Sequence, residues 1–139
     1  RAKLPLLDSY CEARRAAARK YSKAFKDQPN IAVPVTVNNC DGICDTCDCH
    51  VFHQYTLRIT NGKRDTLAQH LNDKQIPFGI YYPIPLHKQK AYTDERYKET
   101  DFPVTNQLVN EVISLPMHTE LDDEQIGFIS NTVIRFVNG

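Results

Sequence analysis

Glycine is scarce in this 139-residue chain, at five residues, and no Gly-rich loop of the kind whose backbone N–H groups cradle a phosphate occurs. No apolar run approaches the roughly 20 residues of a membrane-spanning helix, and the N-terminus lacks a basic, then apolar, then small-residue signal pattern. The expectation is a cytoplasmic protein with no membrane partner. No serine, histidine and aspartate arrangement for nucleophilic catalysis occurs, and no internal repeat or low-complexity tract. The chain also lacks an opening methionine and enters helical periodicity from Arg1, so it reads as a piece cut from something longer. Net charge is absent too, at 17 basic against 17 acidic side chains. The layout is uneven, with eight Lys or Arg against two acids in residues 1–26, and seven acids with no Lys or Arg in residues 99–124. The basic opening is the one hint of nucleic acid. Without an aromatic stacking motif it reads as the charged outer face of a packed helix, and no nucleic-acid partner is expected. What is present, 41% hydrophobic residues in periodic blocks, is enough for one globular domain with its own core.

Residues 4–26 place Leu4, Leu7, Tyr10 or Cys11, Ala17 or Ala18, Tyr21 and Phe25 at three- and four-residue spacing, which predicts an amphipathic helix. Residues 31–37 are β-branched, but Pro34 restricts them to an edge or irregular strand. Residues 51–59 alternate, with Val51, His53, Tyr55, Leu57 and Ile59 on one face, and predict a strand that turns at Asn61-Gly62. A helix over 63–75 follows, with Leu67, Ala68 and Leu71 inward, and then a second strand over 79–84. Asp101 is placed to cap a helix that has Pro103 near its start and Val104, Leu108, Val109, Val112 and Ile113 on its buried side. Residues 114–117 are a brief extended piece. Asp122 with Gln125 three residues on forms a capping box for a last helix, with Leu121 stapling Ile126 and Ile129, Val133 and Phe136 or Val137 inward. The order predicts an α/β (α+β) fold, a small mixed or antiparallel sheet with helices packed on one face.

Two segments have chemistry. Cys40, Cys44, Cys47 and Cys49 with His50 and His53 are a dense set of soft ligands, and the two-residue gap between Cys44 and Cys47 lets two sulfurs reach one zinc ion. Cys40, Cys44, Cys47 and one of Cys49 or His50 are the candidate ligands. Against this, a structural zinc site usually joins two separated knuckles, and adjacent side chains entering a strand point to opposite faces. A solvent-exposed loop with free thiols is the preferred reading of residues 38–50. Cys11 reads as a small buried apolar residue, His70 as a partly buried structural histidine and His118 as a loop residue. The second segment holds Tyr81, Tyr82 and His87 among Pro77, Pro83 and Pro85, where a strand leaves into a stiffened loop that displays side chains for binding.

Several ordered blocks carry a resemblance. Residues 51–59, Lys63 to Leu67 with Leu71, Gly79 to His87 with Gln89, Ala91 and Tyr92, Asp101 to Val104, and Ser114 to His118 resemble the C-terminal part of the DegT/DnrJ/EryC1/StrS family, the pyridoxal-phosphate-dependent sugar-nucleotide aminotransferases. The likeness extends to residues 121–126 and, more loosely, to the opening Lys3 to Leu7 with Arg14 and Arg15, and leaves out 38–49, within a Cys-rich stretch of residues 38–50 that reads as a loop insertion. It implies that residues 1–139 form a single small C-terminal domain of a fold type I enzyme. The larger domain would hold the cofactor and supply the Schiff-base lysine, so this chain alone should not transaminate. The implied reaction moves an amino group, from glutamate, to a nucleotide-linked keto-sugar in cell-wall or polysaccharide precursor synthesis, in an enzyme that is a homodimer when complete. Tyr81 falls where family members have a histidine or tyrosine near the substrate, with Tyr82 and His87 on the same loop. The competing readings are a stand-alone α/β metal-binding or interaction module that uses residues 40–50, and a degenerate dimerisation or regulatory scaffold.

Overall fold

A computed structural model describes residues 3–35 and 50–139. After a 3-10 turn at Leu4–Leu6, α1 runs over Leu7–Phe25. A two-residue edge strand β1, Ile31–Ala32, pairs antiparallel with β2, Tyr55–Ile59, which pairs antiparallel with β3, Val112–Leu115. Between β2 and β3 come α2, Arg64–Asp73, three 3-10 turns, and α3, Pro103–Glu111; α4, Asp123–Asn138, ends the chain. The sheet order is β1-β2-β3.

Register explains the core. Tyr55 lies across from Leu115, Leu57 from Ile113, and Ile59 from Ile31, so one sheet face is apolar throughout. Onto that cluster come Ala17, Ala18, Tyr21 and Phe25 of α1, Leu67 and Leu71 of α2, and Ile126, Ile129, Val133 and Val137 of α4, each set at helical spacing. The opposite face is polar. There the Thr56 and Ser114 hydroxyls meet at 2.8 Å, and Arg58 reaches Glu111.

Sequence periodicity and structure part company at four places. The β2 strand begins at Tyr55, not Val51, because Phe52 takes a left-handed backbone (φ 46°) and turns its ring into the core, which leaves Val51 and His53 exposed. The Phe52 N–H donates to His50 Nδ1 at 3.0 Å, and Arg14 Nε donates to the Val51 carbonyl, which ties this turn to α1. Residues 79–84 are not a strand: the pairing is a single bridge between Gly79 and Ser114, and the Tyr81–Tyr82 peptide is cis. Phe102, not Asp101, occupies the position before α3, because Asp101 closes the 3-10 turn Glu99–Asp101. No α3 residue is buried, and Val112 and Ile113 belong to β3. At the N-terminus, Leu4 and Leu7 are exposed, and the α1 core stripe starts at Ala17. Cys11 is only partly buried and accepts from Arg14 Nη2 at 3.3 Å.

Candidate functional site

The prolines and the Gly79 bridge set the course of residues 77–87. The Gly79 N–H donates to the Ser114 carbonyl (3.0 Å) and the Ser114 N–H to the Gly79 carbonyl (2.7 Å), so this segment is held at the free edge of β3. Past the bridge the backbone leaves the sheet, and Tyr81 and Tyr82 stand 50% and 75% exposed. Tyr81 lines a cleft of about 270 Å³ together with His53, Gln54, Phe78, Pro116 and Met117. Its hydroxyl, the His53 ring and the Gln54 amide make no hydrogen bond among the described residues, and all three are free to meet a ligand.

His87 belongs to a different cleft. Its ring stacks on Phe102 with centroids 4.5 Å apart, and the two line a space of about 570 Å³ with Leu86, Tyr92, Tyr97 and Thr105. Its Nε2 is buried and without a hydrogen-bond partner in the described structure. Tyr82 lines neither cleft; its ring stands edge-on to Tyr81 at 6.0 Å. The loop that looked like one display surface therefore divides its three candidates. The sequence reads His53 only as a soft metal ligand and an inward strand residue, and singles out no role for Gln54, because strict alternation would turn one inward and the other outward, whereas the Phe52 turn exposes both.

None of the three clefts formed by the described residues brings a lysine together with a carboxylate, the pair that would hold pyridoxal phosphate. Lys20, Lys63 and Lys88 are engaged with Asp123, the Val137 carbonyl and Glu99 at the surface. Lys74 borders a third cleft of about 510 Å³ between Pro77, Met117, Leu121 and Phe128, but no carboxylate lines that cleft to meet a pyridine nitrogen. The candidate metal ligands Cys40, Cys44, Cys47 and Cys49 lie outside the described residues. The alternative fourth ligand, His50, has its Nδ1 occupied by the Phe52 N–H, and among the described residues no group of three metal-ligating side chains converges. No helix of the described residues is long and apolar enough to cross a membrane.

The sequence model of the DegT/DnrJ/EryC1/StrS aminotransferase family matches residues 1–134. The chain belongs to that family. The "Pleiotropic regulatory protein" of Geobacillus stearothermophilus is 37% identical over 134 residues, 96% of this chain and 34% of that protein. The UDP-N-acetyl-3-dehydro-alpha-D-glucosamine 3-aminotransferase of Acidithiobacillus ferrooxidans is 34% identical over all of this chain and 34% of its own length. Among solved structures, S. venezuelae DesV in complex with a ketimine intermediate matches with a TM-score of 0.85 at 29% identity, over 100% of this chain and 35% of that one. This aminotransferase-family chain thus spans about a third of the length of the relatives it matches. A likeness that runs unbroken through a third of longer aminotransferases gives no support to a stand-alone metal or interaction module.

Proposed function

We propose that this chain is the smaller, C-terminal domain of a pyridoxal-phosphate-dependent aminotransferase that transfers an amino group from glutamate to a keto-sugar carried on a nucleoside diphosphate, for cell-wall or polysaccharide precursors. The observation that supports it most is the family match over residues 1–134, which accounts for a third of enzymes with named sugar-nucleotide substrates. In such a transfer the cofactor is the electron sink. The residues of this chain do other work. Tyr81 offers one hydroxyl, a donor and an acceptor, to a sugar hydroxyl or a substrate carboxylate. A phenol does not exchange protons near neutrality as an imidazole does, so Tyr81 orients and does not shuttle. Phe78, Pro116 and Met117 wall its cleft and keep water from the group bound there. His87 lines the aromatic cleft and is the candidate substrate contact there, and Tyr82 flanks Tyr81. The complete enzyme works as a cytoplasmic homodimer, with the Schiff-base lysine in its larger domain.

Cofactor absorbance tests this. Pyridoxal phosphate added to residues 1–139 gives only the weak signal of surface-lysine adducts, removed by dialysis, whereas the full polypeptide retains a bound-cofactor band near stoichiometry. A stoichiometric, dialysis-resistant band on residues 1–139 contradicts the assignment.

A further inference from the structure

The cleft beneath Tyr81 depends on a residue that has no side chain. An ideal Cβ built on Gly79 would lie 2.6 Å from the Tyr81 phenol oxygen and closer still to the ring carbons Cε2 and Cζ. The phenol therefore rests in the space that any other residue at 79 would fill. The two partners of this contact are not equally free to yield. Gly79 is held by two backbone hydrogen bonds to Ser114, and Ser114 is fixed in turn by its β3 pairing and by the Thr56 hydroxyl at 2.8 Å. The Tyr81 ring, half exposed at the end of a flexible side chain, has no hydrogen bond to hold it. A Cβ at 79 consequently moves the ring and leaves the sheet edge in place.

The same cleft receives His53 and Gln54 from the turn before β2. At about 270 Å³ it lies just under the roughly 300–1,000 Å³ of ordinary ligand pockets and has room for one sugar ring. Three uncommitted polar side chains over apolar walls are the arrangement that recognises a ring with hydroxyls on its edge and C–H groups on its faces.

We propose that Gly79 is a positioning residue for sugar recognition: its bare backbone seats the Tyr81 phenol in a cleft where His53 and Gln54 contact the same sugar ring. This rests on the aminotransferase reading. The phenol, the imidazole and the amide each hydrogen-bond one edge group of the sugar, and Gly79 acts only through Tyr81.

The test uses the full polypeptide and a nucleotide-linked keto-sugar that it aminates. G79A should raise KM for the sugar about three- to tenfold, the worth of one lost neutral hydrogen bond, with kcat changed less and the unfolding midpoint nearly unchanged. H53A and Q54A should raise KM by similar factors. The deciding comparison is G79A/Y81A against Y81A: with no ring to displace, the double variant should match the single one. A G79A effect that persists in the Y81A background overturns the positioning role, and so does a crystal structure of G79A with the Tyr81 ring unmoved. A displaced ring with unchanged KM overturns the recognition role. If the protein aminates no nucleotide-linked sugar, the aminotransferase reading fails, while the ring position in the G79A crystal still decides what Gly79 does to Tyr81.

Discussion

At the scale of single residues, the core holds a small polar network that apolar packing alone would not produce. The Tyr55 hydroxyl meets the Ser22 hydroxyl at 2.7 Å, and the Tyr21 hydroxyl donates to the Pro116 carbonyl at 3.2 Å, with the two rings stacked 5.0 Å apart. Burial pushes both phenols far above the ordinary tyrosine range, and for Tyr21 the neighbouring Tyr55 adds to the effect, so both stay neutral and act only through hydrogen bonds. Tyr55→Phe leaves Ser22 without its partner and should cost about 1–3 kcal/mol in urea unfolding; a loss below a few tenths would mean that water replaces the phenol. A second residue, Gln75, sits in the left-handed region (φ 57°) just past α2. There the Ile76 N–H bonds the Leu71 carbonyl and the Gln75 N–H that of Asn72, with Leu71 and Ile76 both buried, the arrangement in which glycine usually ends a helix. Gln75→Gly should therefore raise stability by up to about 1 kcal/mol in the same assay, since the lost left-handed penalty outweighs the extra freedom of the unfolded chain. A destabilised Gln75→Gly would show that the glutamine side chain, not the backbone, ends the helix.

At the scale of elements, what was legible in the sequence is what local chemistry decides. The α4 start was readable because Asp122 and Gln125 cap each other's backbone N–H groups within four residues, and the inward stripes of α2 and α4 follow from helical period alone. The errors lie where distant partners decide. Residues 79–84 have strand composition, yet only Gly79 finds a partner on β3, and the residues beyond it project as a loop. Phe52 breaks the alternation because the core has room for its ring beside Tyr55, which no local pattern reports. The same applies to the site: Tyr81 was readable as a displayed residue, whereas its pairing with His53 and its separation from His87 come from the Phe52 turn and the sheet edge. The junction of α3 and β3 gives a pH-dependent prediction. Glu111 is held below the ordinary carboxylate value of 4.5, first by the hydrogen bond from Gln107 and then by that from Arg58, against the opposing effect of its burial. A lowered folded-state value means that its contribution is present above the unfolded-state value and disappears as pH falls through the folded one. Wild type should exceed Glu111→Gln by less than about 1 kcal/mol near neutrality, because the Arg58 side chain is partly exposed to screening by solvent, and the two should converge in acid. A difference that stays constant down to pH 3 would assign the effect to packing.

At the scale of the whole molecule, the described residues gather around one apolar core. Among the described residues, three antiparallel strands and the helices α1, α2 and α4 bury a continuous apolar cluster, and this fold matches a third of the DesV structure with a TM-score of 0.85. Its clefts among the described residues offer hydroxyl, imidazole and amide groups, while the one lysine, Lys74, and the one carboxylate, Asp94, line different clefts. Leu4, Leu6 and Leu7 are exposed on the opening turn, and Ile84, Leu86 and Val104 are exposed further along the chain. Under the proposed function, sugar orientation is the part assigned to these clefts. The most direct measurement is amino transfer by the full polypeptide from glutamate to a nucleotide-linked keto-sugar, with the amino-sugar product followed by mass spectrometry for wild type and Tyr81→Phe. The account predicts product from both, with KM for the sugar raised about three- to tenfold in Tyr81→Phe. No amino-sugar from cofactor-loaded protein across the keto-sugars of this class, or a Tyr81→Phe variant indistinguishable from wild type, would contradict it.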